Sequence, residues 1–416
     1  MSNERVRISE KPSLAHLISP QQNQKIPIHG WFQFKHGYSR ELTVSLIKSL
    51  NLSPGSWVLD SFCGSGTTLL TCKEFGINSR GFDILPFSVF LSNVKIASYD
   101  VEVLQHQLSK FTGQIHQPSL TRKGLPNIPL IDKAFRPEVK LELLSLKQKI
   151  ENIYDLKSRS LFTLAFLSIL ETVSNTSKSG GFLRLVEKPV FPADVEILFL
   201  KKIESMIDDL KKNTKESNGQ KNISSLAKIG DARKLPTIRK FDCVITSPPY
   251  PNRHDYTRIY SLEMVFDFVS TNDELKKIRY KTLRSHVEAK KIYEAVGYKQ
   301  PIKLTKLIAQ VKKNGTNNPR VTEMLEGYFE DMYLCLSEMY RCLKTRGKVA
   351  LVVSNVRFAG INIPVDEILA EIGSQVGLTA ESIWITRYRG NSSQQMRDYT
   401  RIPSRESVVI WSKNGH

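Results

Sequence analysis

The sequence predicts a mostly parallel α/β sheet with helices packed on both faces. Three observations carry that expectation. A short apolar strand, Trp57-Val58-Leu59-Asp60, runs into Gly64-Ser65-Gly66, then a helix and a second strand, which is a βαβ opening. A second buried strand, Phe241-Asp242-Cys243-Val244-Ile245-Thr246, leads straight into a proline-bearing loop. Towards the end of the chain a strand (348–353), a helix (365–376) and two more strands (381–388 and 407–411) resume the pattern.

Taken in order, residues 1–24 are polar and aperiodic and read as a loosely held N-terminal arm. Leu42, Leu46, Ile47 and Leu50 recur on one helical face of 39–50. Ser53-Pro54-Gly55 turns the chain into the first strand, and Gly76 closes the helix that starts at Thr67. Strand 79–83 follows and ends on Asp83. The character then changes: three amphipathic segments, 141–150, 161–173 and 195–210, mark 99–225 as a helical insertion, with a polar glycine-bearing loop at 174–181. A second departure, 267–322, is a basic insertion, since 252–320 holds 15 Lys and Arg against 7 Asp and Glu. The core that remains is 25–98, 226–266 and 323–416.

Composition narrows the function. The 416 residues are 40% hydrophobic and 24% charged, too apolar for a disordered chain. No apolar run approaches the roughly 20 residues that span a bilayer. The first eleven residues show no leader-like apolar stretch, so a cytoplasmic protein with no membrane association is expected. The five cysteines have neither metal-ligand nor disulfide-framework spacing, and no metal is expected. A net charge of +19 favours a polyanionic partner, although charge does not separate DNA from RNA.

Two constellations carry chemistry. In Asp60-Ser61-Phe62-Cys63-Gly64-Ser65-Gly66-Thr67-Thr68 the glycines allow close approach of a ligand to the backbone, and the hydroxyls suit a carboxylate. The third glycine of a dinucleotide fingerprint is missing, which argues against NAD and FAD. Asp83, at the end of the second strand, is placed to accept both ribose hydroxyls of an adenosine, and Asp231 to accept from an adenine amino group. The second constellation is Thr246-Ser247-Pro248-Pro249-Tyr250. Two prolines fix φ and remove two N–H donors, so the loop is stiff and offers free carbonyls. The Ser247 hydroxyl and the Pro248 carbonyl can hold both hydrogens of an exocyclic amine and aim its lone pair at an electrophilic methyl. Tyr250 can stack on the same base once it has left the duplex. His254 follows as a candidate proton acceptor, and Arg253 and Arg258 as phosphate contacts.

Together these motifs resemble the S-adenosylmethionine-dependent amino-methyltransferases of bacterial DNA, and Thr-Ser-Pro-Pro-Tyr resembles their N4-cytosine group. The resemblance implies a Rossmann-like methyltransferase sheet, S-adenosyl-L-methionine as cofactor and methylation of cytosine N4 in double-stranded DNA with a flipped cytosine. A restriction-modification role with a cognate restriction endonuclease as partner is implied with it. It further implies that Phe62, Gly64 and Gly66 line the cofactor, Asp60 sits near its amino group, and Thr67 and Thr68 meet its carboxylate. Tyr38 and Ser39, from the motif preceding the glycine loop, would close over the methionine end. Lys276, Lys277, Arg279 and Lys281 form the expected DNA track of the basic insertion. Adenine N6 methylation, RNA base methylation and a nucleic-acid-binding module with an inactive cofactor fold stay open as alternatives, and either insertion is a candidate for reading the bases.

Overall fold

The computed structural model describes residues 6–114, 128–214, 223–390, 400 and 402–415. Its strands are β1 Arg7–Glu10, β2 Trp57–Asp60, β3 Asn78–Asp83, β4 Thr176–Ser179, β5 Phe182–Leu185, β6 Ser225–Ile229, β7 Phe241–Thr246, β8 Leu343–Ser354, β9 Val356–Phe358, β10 Ile361–Ile363, β11 Leu378–Arg389 and β12 Ser404–Lys413. Eight of them make one sheet in the order β1-β11-β12-β8-β7-β2-β3-β6, while β4 with β5 and β9 with β10 form separate two-stranded ribbons. Only β12 is antiparallel to its sheet neighbours; the other seven run in one direction. The expected mostly parallel sheet is present.

Strand alternation sorts the core into two layers. Along β2 and β7, Val58, Cys243 and Ile245 face helix Arg40–Ser49, where Leu42, Leu46 and Ile47 meet them. Leu59 and Val244 face the other way, towards helices Val321–Cys342 and Val365–Gln375. Each fully buried leucine on these faces contributes about 1.5–3 kcal/mol. Ser39 starts the first of these helices as its N-cap, accepting from the Leu42 amide at 3.1 Å.

Chain order reverses between β2 and β7. From β2 the chain crosses through helix Thr67–Glu74 to β3 on one side, whereas β7 opens the other half of the sheet. The carboxyl ends of β2 and β7 therefore bound a crevice at the topological switch point, where open α/β sheets bind ligands.

Two expectations change. The stretch expected to be a loose arm is tied to the sheet: Arg7–Glu10 pairs in parallel with β11. Further along, buried Asn23 donates to the Tyr38 carbonyl at 3.0 Å and accepts from the Arg40 amide at 2.8 Å. A four-residue edge strand is held through its backbone, so its side chains show no period. The polar loop expected at 174–181 is instead the first half of the β4–β5 hairpin. The helices of 101–214 share one continuous apolar cluster with helices Pro86–Ile96 and Ser261–Asp267, so this region is built onto the sheet layer.

Candidate active site

The glycine loop leaves β2 at Asp60, and its two glycines do different work. Gly64 has φ +48°, and a Cβ there would lie 3.2 Å from the Phe34 ring. Gly66 has φ +75°, and a Cβ there would press to 2.9 Å from the Cα of Ser92 on helix Pro86–Ile96. Gly64 thus lets the Phe34 ring pack close over the loop, and Gly66 allows two helices to pack. Asp83 ties the loop to β3, with Oδ2 accepting from the Gly64 amide at 3.0 Å and Oδ1 from the Leu85 amide at 2.9 Å.

Three adjoining hollows surround this loop. A cavity of about 730 Å³ is lined by Phe62, Gly64, Asp83 and Asp231, with Leu85 and Leu283 supplying apolar wall. The Ser61 and Ser88 hydroxyls border it, buried and without a hydrogen-bond partner among the described residues. A smaller space of about 280 Å³ lies over Tyr38, Asp60, Gly64 and Thr67. An outer cleft of about 1430 Å³ is bordered by Ser247, Pro248, Tyr250, His254, Arg387 and Arg389. Phe34, His36 and Ser247 line all three.

Electrostatically the interior favours a cation. Burial pushes the Asp60 carboxyl up to about 6, against the opposing hydrogen bonds from Thr246, Thr68 and the Phe62 amide. Burial likewise raises Asp83 to about 6. His36 is driven down to about 3, chiefly by burial and then by the neighbouring His254. At neutral pH Asp60 and Asp83 are therefore mostly ionised and His36 is an uncharged imidazole.

The loop Ser247-Pro248-Pro249-Tyr250 is tied to the sheet. The Ser247 hydroxyl donates to the Val352 carbonyl on β8 at 3.1 Å, which leaves its lone pairs to accept, and it lies 3.4 Å from the Tyr250 hydroxyl. Next along, Asp255 caps helix Tyr256–Ile259 by accepting from the Thr257 and Arg258 amides.

Several residues named from the sequence are placed elsewhere than expected. Ser39 is buried and committed to its helix cap and to the Leu17 carbonyl, away from every hollow described above. Thr68 is fully buried behind Tyr38, and its hydroxyl bonds the Tyr38 hydroxyl. Tyr38 does border the small space, with its hydroxyl 3.4 Å from Asp60 Oδ2. Asp231 reaches the cavity with its oxygens held by Arg233 at 2.9 and 2.7 Å. On the expected DNA track, Arg279 turns inward to Asp255 at 2.8 Å, and Lys276 lies 3.6 Å from Asp273. Lys277 and Lys281 are exposed, and the Lys281 backbone carbonyl accepts from Arg233. Arg258 pairs with Glu288 and Asp255, and Arg253, with φ +71°, donates to Asn317 at 2.9 Å. Residues 391–399 lie outside the described residues.

Sequence reasoning missed Phe34 and His36 as shared walls and missed the 281–286 segment, whose Thr282, Leu283, Ser285 and His286 close the larger cavity. The basic insertion thus builds part of the pocket. Phe34 stacks on Tyr260 with centroids 4.7 Å apart and planes 9° apart, a pairing across 226 positions that no local pattern announces.

Sheet order, the crevice at the β2–β7 switch point and the acid at the end of β3 fit an S-adenosyl-L-methionine-dependent methyltransferase. Residues 8–92 match the N6/N4 methyltransferase family described as DNA methylase. Type II methyltransferase M.BsoBI of Geobacillus stearothermophilus is 32% identical over 450 residues, spanning 95% of this chain and 88% of its own. Type II methyltransferase M.AvaI of Anabaena variabilis is 28% identical, spanning 99% of this chain and 91% of its own. M.MvaI of Kocuria varians is 24% identical over 75% of this chain and 73% of its own. The chain belongs to the bacterial Type II DNA methyltransferases of the N4/N6 amino-methylating group.

The residues present suit this cofactor. The apolar wall with two unpartnered serine hydroxyls accommodates an adenosine, and the anionic smaller space suits a positively charged methionine end. Among the described residues no helix is long and apolar enough to cross a membrane.

Proposed function

We propose that the chain methylates the N4 amino group of cytosine in DNA, as the modification half of a restriction-modification pair with a cognate endonuclease. The observation that carries this reading is the position of Ser247, where the two inner hollows meet the outer cleft. S-adenosyl-L-methionine supplies an electrophilic methyl on a sulfonium when bound. Asp83 holds the ribose hydroxyls, Phe62 and Gly64 flank the adenosine, and Asp231 with Arg233 borders the adenine end. Asp60, Tyr38 and Thr67 face the amino-acid end. Gly66 and Thr68 act from behind, by positioning the loop and Tyr38.

A flipped cytosine enters the outer cleft. Its amine donates to Ser247 Oγ and to the Pro248 carbonyl, while Tyr250 covers the ring. Holding the amine this way aligns the lone pair for in-line displacement, and the rate advantage comes from orientation and exclusion of water. His254 borders the same cleft with a buried, unpartnered Nδ1, and burial lowers its proton affinity. It is available, in its neutral form, to take the proton released after transfer. Support for cytosine over adenine is the serine at the head of Ser247-Pro248-Pro249-Tyr250.

The test is incubation with methyl-labelled cofactor and mixed DNA, followed by nucleoside mass analysis. N4-methylcytosine is expected. N6-methyladenine would overturn the base assignment, and label confined to RNA in a parallel reaction would overturn the acceptor.

A further inference from the structure

The β4–β5 hairpin is a rigid finger set beside the outer cleft. Its first strand is locked by charge. Lys178 pairs with Glu263, and both side chains are almost completely buried, 2% and 0% exposed. The Lys178 ammonium lies 5.0 Å from the Phe32 ring centroid and 5.3 Å from that of Tyr260, and its backbone amide donates to Glu171 at 2.8 Å. Lys188 adds a bond to the Thr176 carbonyl at 2.5 Å. Buried ionic anchors of this kind hold one geometry, because any other arrangement strands a charge in the apolar interior.

The tip is pressed against the catalytic loop. Gly181 accepts from the Asp255 amide at 3.4 Å, and a Cβ at Gly181 would come 2.8 Å from the His254 ring. Gly180, with φ +64°, borders the outer cleft itself. Strand alternation then decides which side chains point where. Lys178 pairs opposite Leu183, and both face the core, where Leu183 packs on the apolar cluster. Phe182 and Arg184 fall on the opposite face. Phe182 is 52% exposed, immediately after the two glycines of the tip.

From this we infer that Phe182 is the apolar wedge that enters the duplex and fills the gap left when the target nucleotide swings into the cleft, with Arg184 meeting the adjacent phosphate. The inference rests on the flipped-base reading of the site and adds the group that makes flipping affordable. A side chain that replaces a lost stacking partner offsets part of the unstacking cost. An exposed phenylalanine on a mobile loop would lose that advantage to ordering; here the ordering is already built into the Lys178–Glu263 anchor.

The experiment compares wild type, Phe182→Ala and Phe182→Trp on two oligonucleotide duplexes carrying the target mapped from methylated DNA. One has the target base paired; the other leaves it opposite an abasic site. Phe182→Ala should lose roughly tenfold or more in kcat/KM on the paired duplex and much less on the unpaired one, where part of the flipping cost is already removed. Cofactor affinity should be unchanged, and Phe182→Trp should keep activity with its fluorescence quenched on binding DNA. Equal activity of Phe182→Ala and wild type on the paired duplex, or an equal loss on both duplexes, would overturn the wedge. So would a change of oligomeric state in Phe182→Ala with both duplexes methylated as by wild type, which would assign the patch to chain–chain contact. A wild-type chain inactive on both duplexes would remove the base-flipping reading and the wedge with it.

Discussion

The Thr246 hydroxyl donates to the Asp60 carboxylate across the ends of two neighbouring parallel strands, Oγ1 to Oδ1 at 2.6 Å. The Phe62 amide donates to both partners, at 3.2 Å each. One buried three-way link thus joins the last residue of β2, the glycine loop and the residue before Ser247. The proposed cofactor pocket and the proposed catalytic loop are fixed relative to each other through it. Thr246→Val keeps the shape and removes the donor, leaving Asp60 short of a partner in a buried setting. We expect a loss of about 1–3 kcal/mol in stability by denaturant unfolding. Methylation should fall with it, and Thr246→Ser should retain both.

Ser247→Ala removes an acceptor from the proposed amine site without touching Gly64 or Asp83. Turnover should drop by roughly a hundredfold or more, the scale seen when one positioned hydrogen-bonding group is removed from a reacting centre. Calorimetric titration with S-adenosyl-L-methionine should give nearly wild-type affinity. Tyr250→Ala should raise KM for DNA as well, since the proposed stacking partner is lost.

The pH dependence of cofactor binding has a definite sign. Asp60 and Asp83 both ionise near 6 in the folded chain, raised by burial. A cationic ligand favours the ionised forms, so affinity should be full at pH 7 to 8 and should fall as pH drops through about 6. Asp83→Asn should weaken binding at pH 7.5 and make the remaining dependence shallower. Affinity of wild type that is flat from pH 8 to 5 would speak against both carboxylates.

Charge neutralisation should separate Lys277 from Arg279, two of the four basic residues of helix Asn272–Lys281. Lys277 is exposed, so Lys277→Ala should reduce the slope of log affinity for DNA against log salt by about 1. Arg279 is bound to Asp255, the cap of helix Tyr256–Ile259 that follows the proposed catalytic loop. Arg279→Ala should lower stability by about 1–3 kcal/mol and leave the salt slope nearly unchanged.

What could be read in the chain without its fold was local. The strands Trp57–Asp60 and Phe241–Thr246, the glycine loop, Asp83 and Ser247-Pro248-Pro249-Tyr250 announce themselves, because apolar runs, positive-φ glycines and paired prolines act over a few residues. Edge strand Arg7–Glu10 and hairpin β4–β5 did not, since backbone pairing and a buried Lys178–Glu263 contact leave no period in the side chains. Tertiary packing assigned the rest. It withdrew Ser39 into a cap, turned Arg279 inward, and brought Phe34, His36 and Ser247 together from positions more than two hundred residues apart. The reason is physical: a side chain's chemistry is written in its residue type, but its direction and its neighbours depend on which elements the sheet brings to one edge.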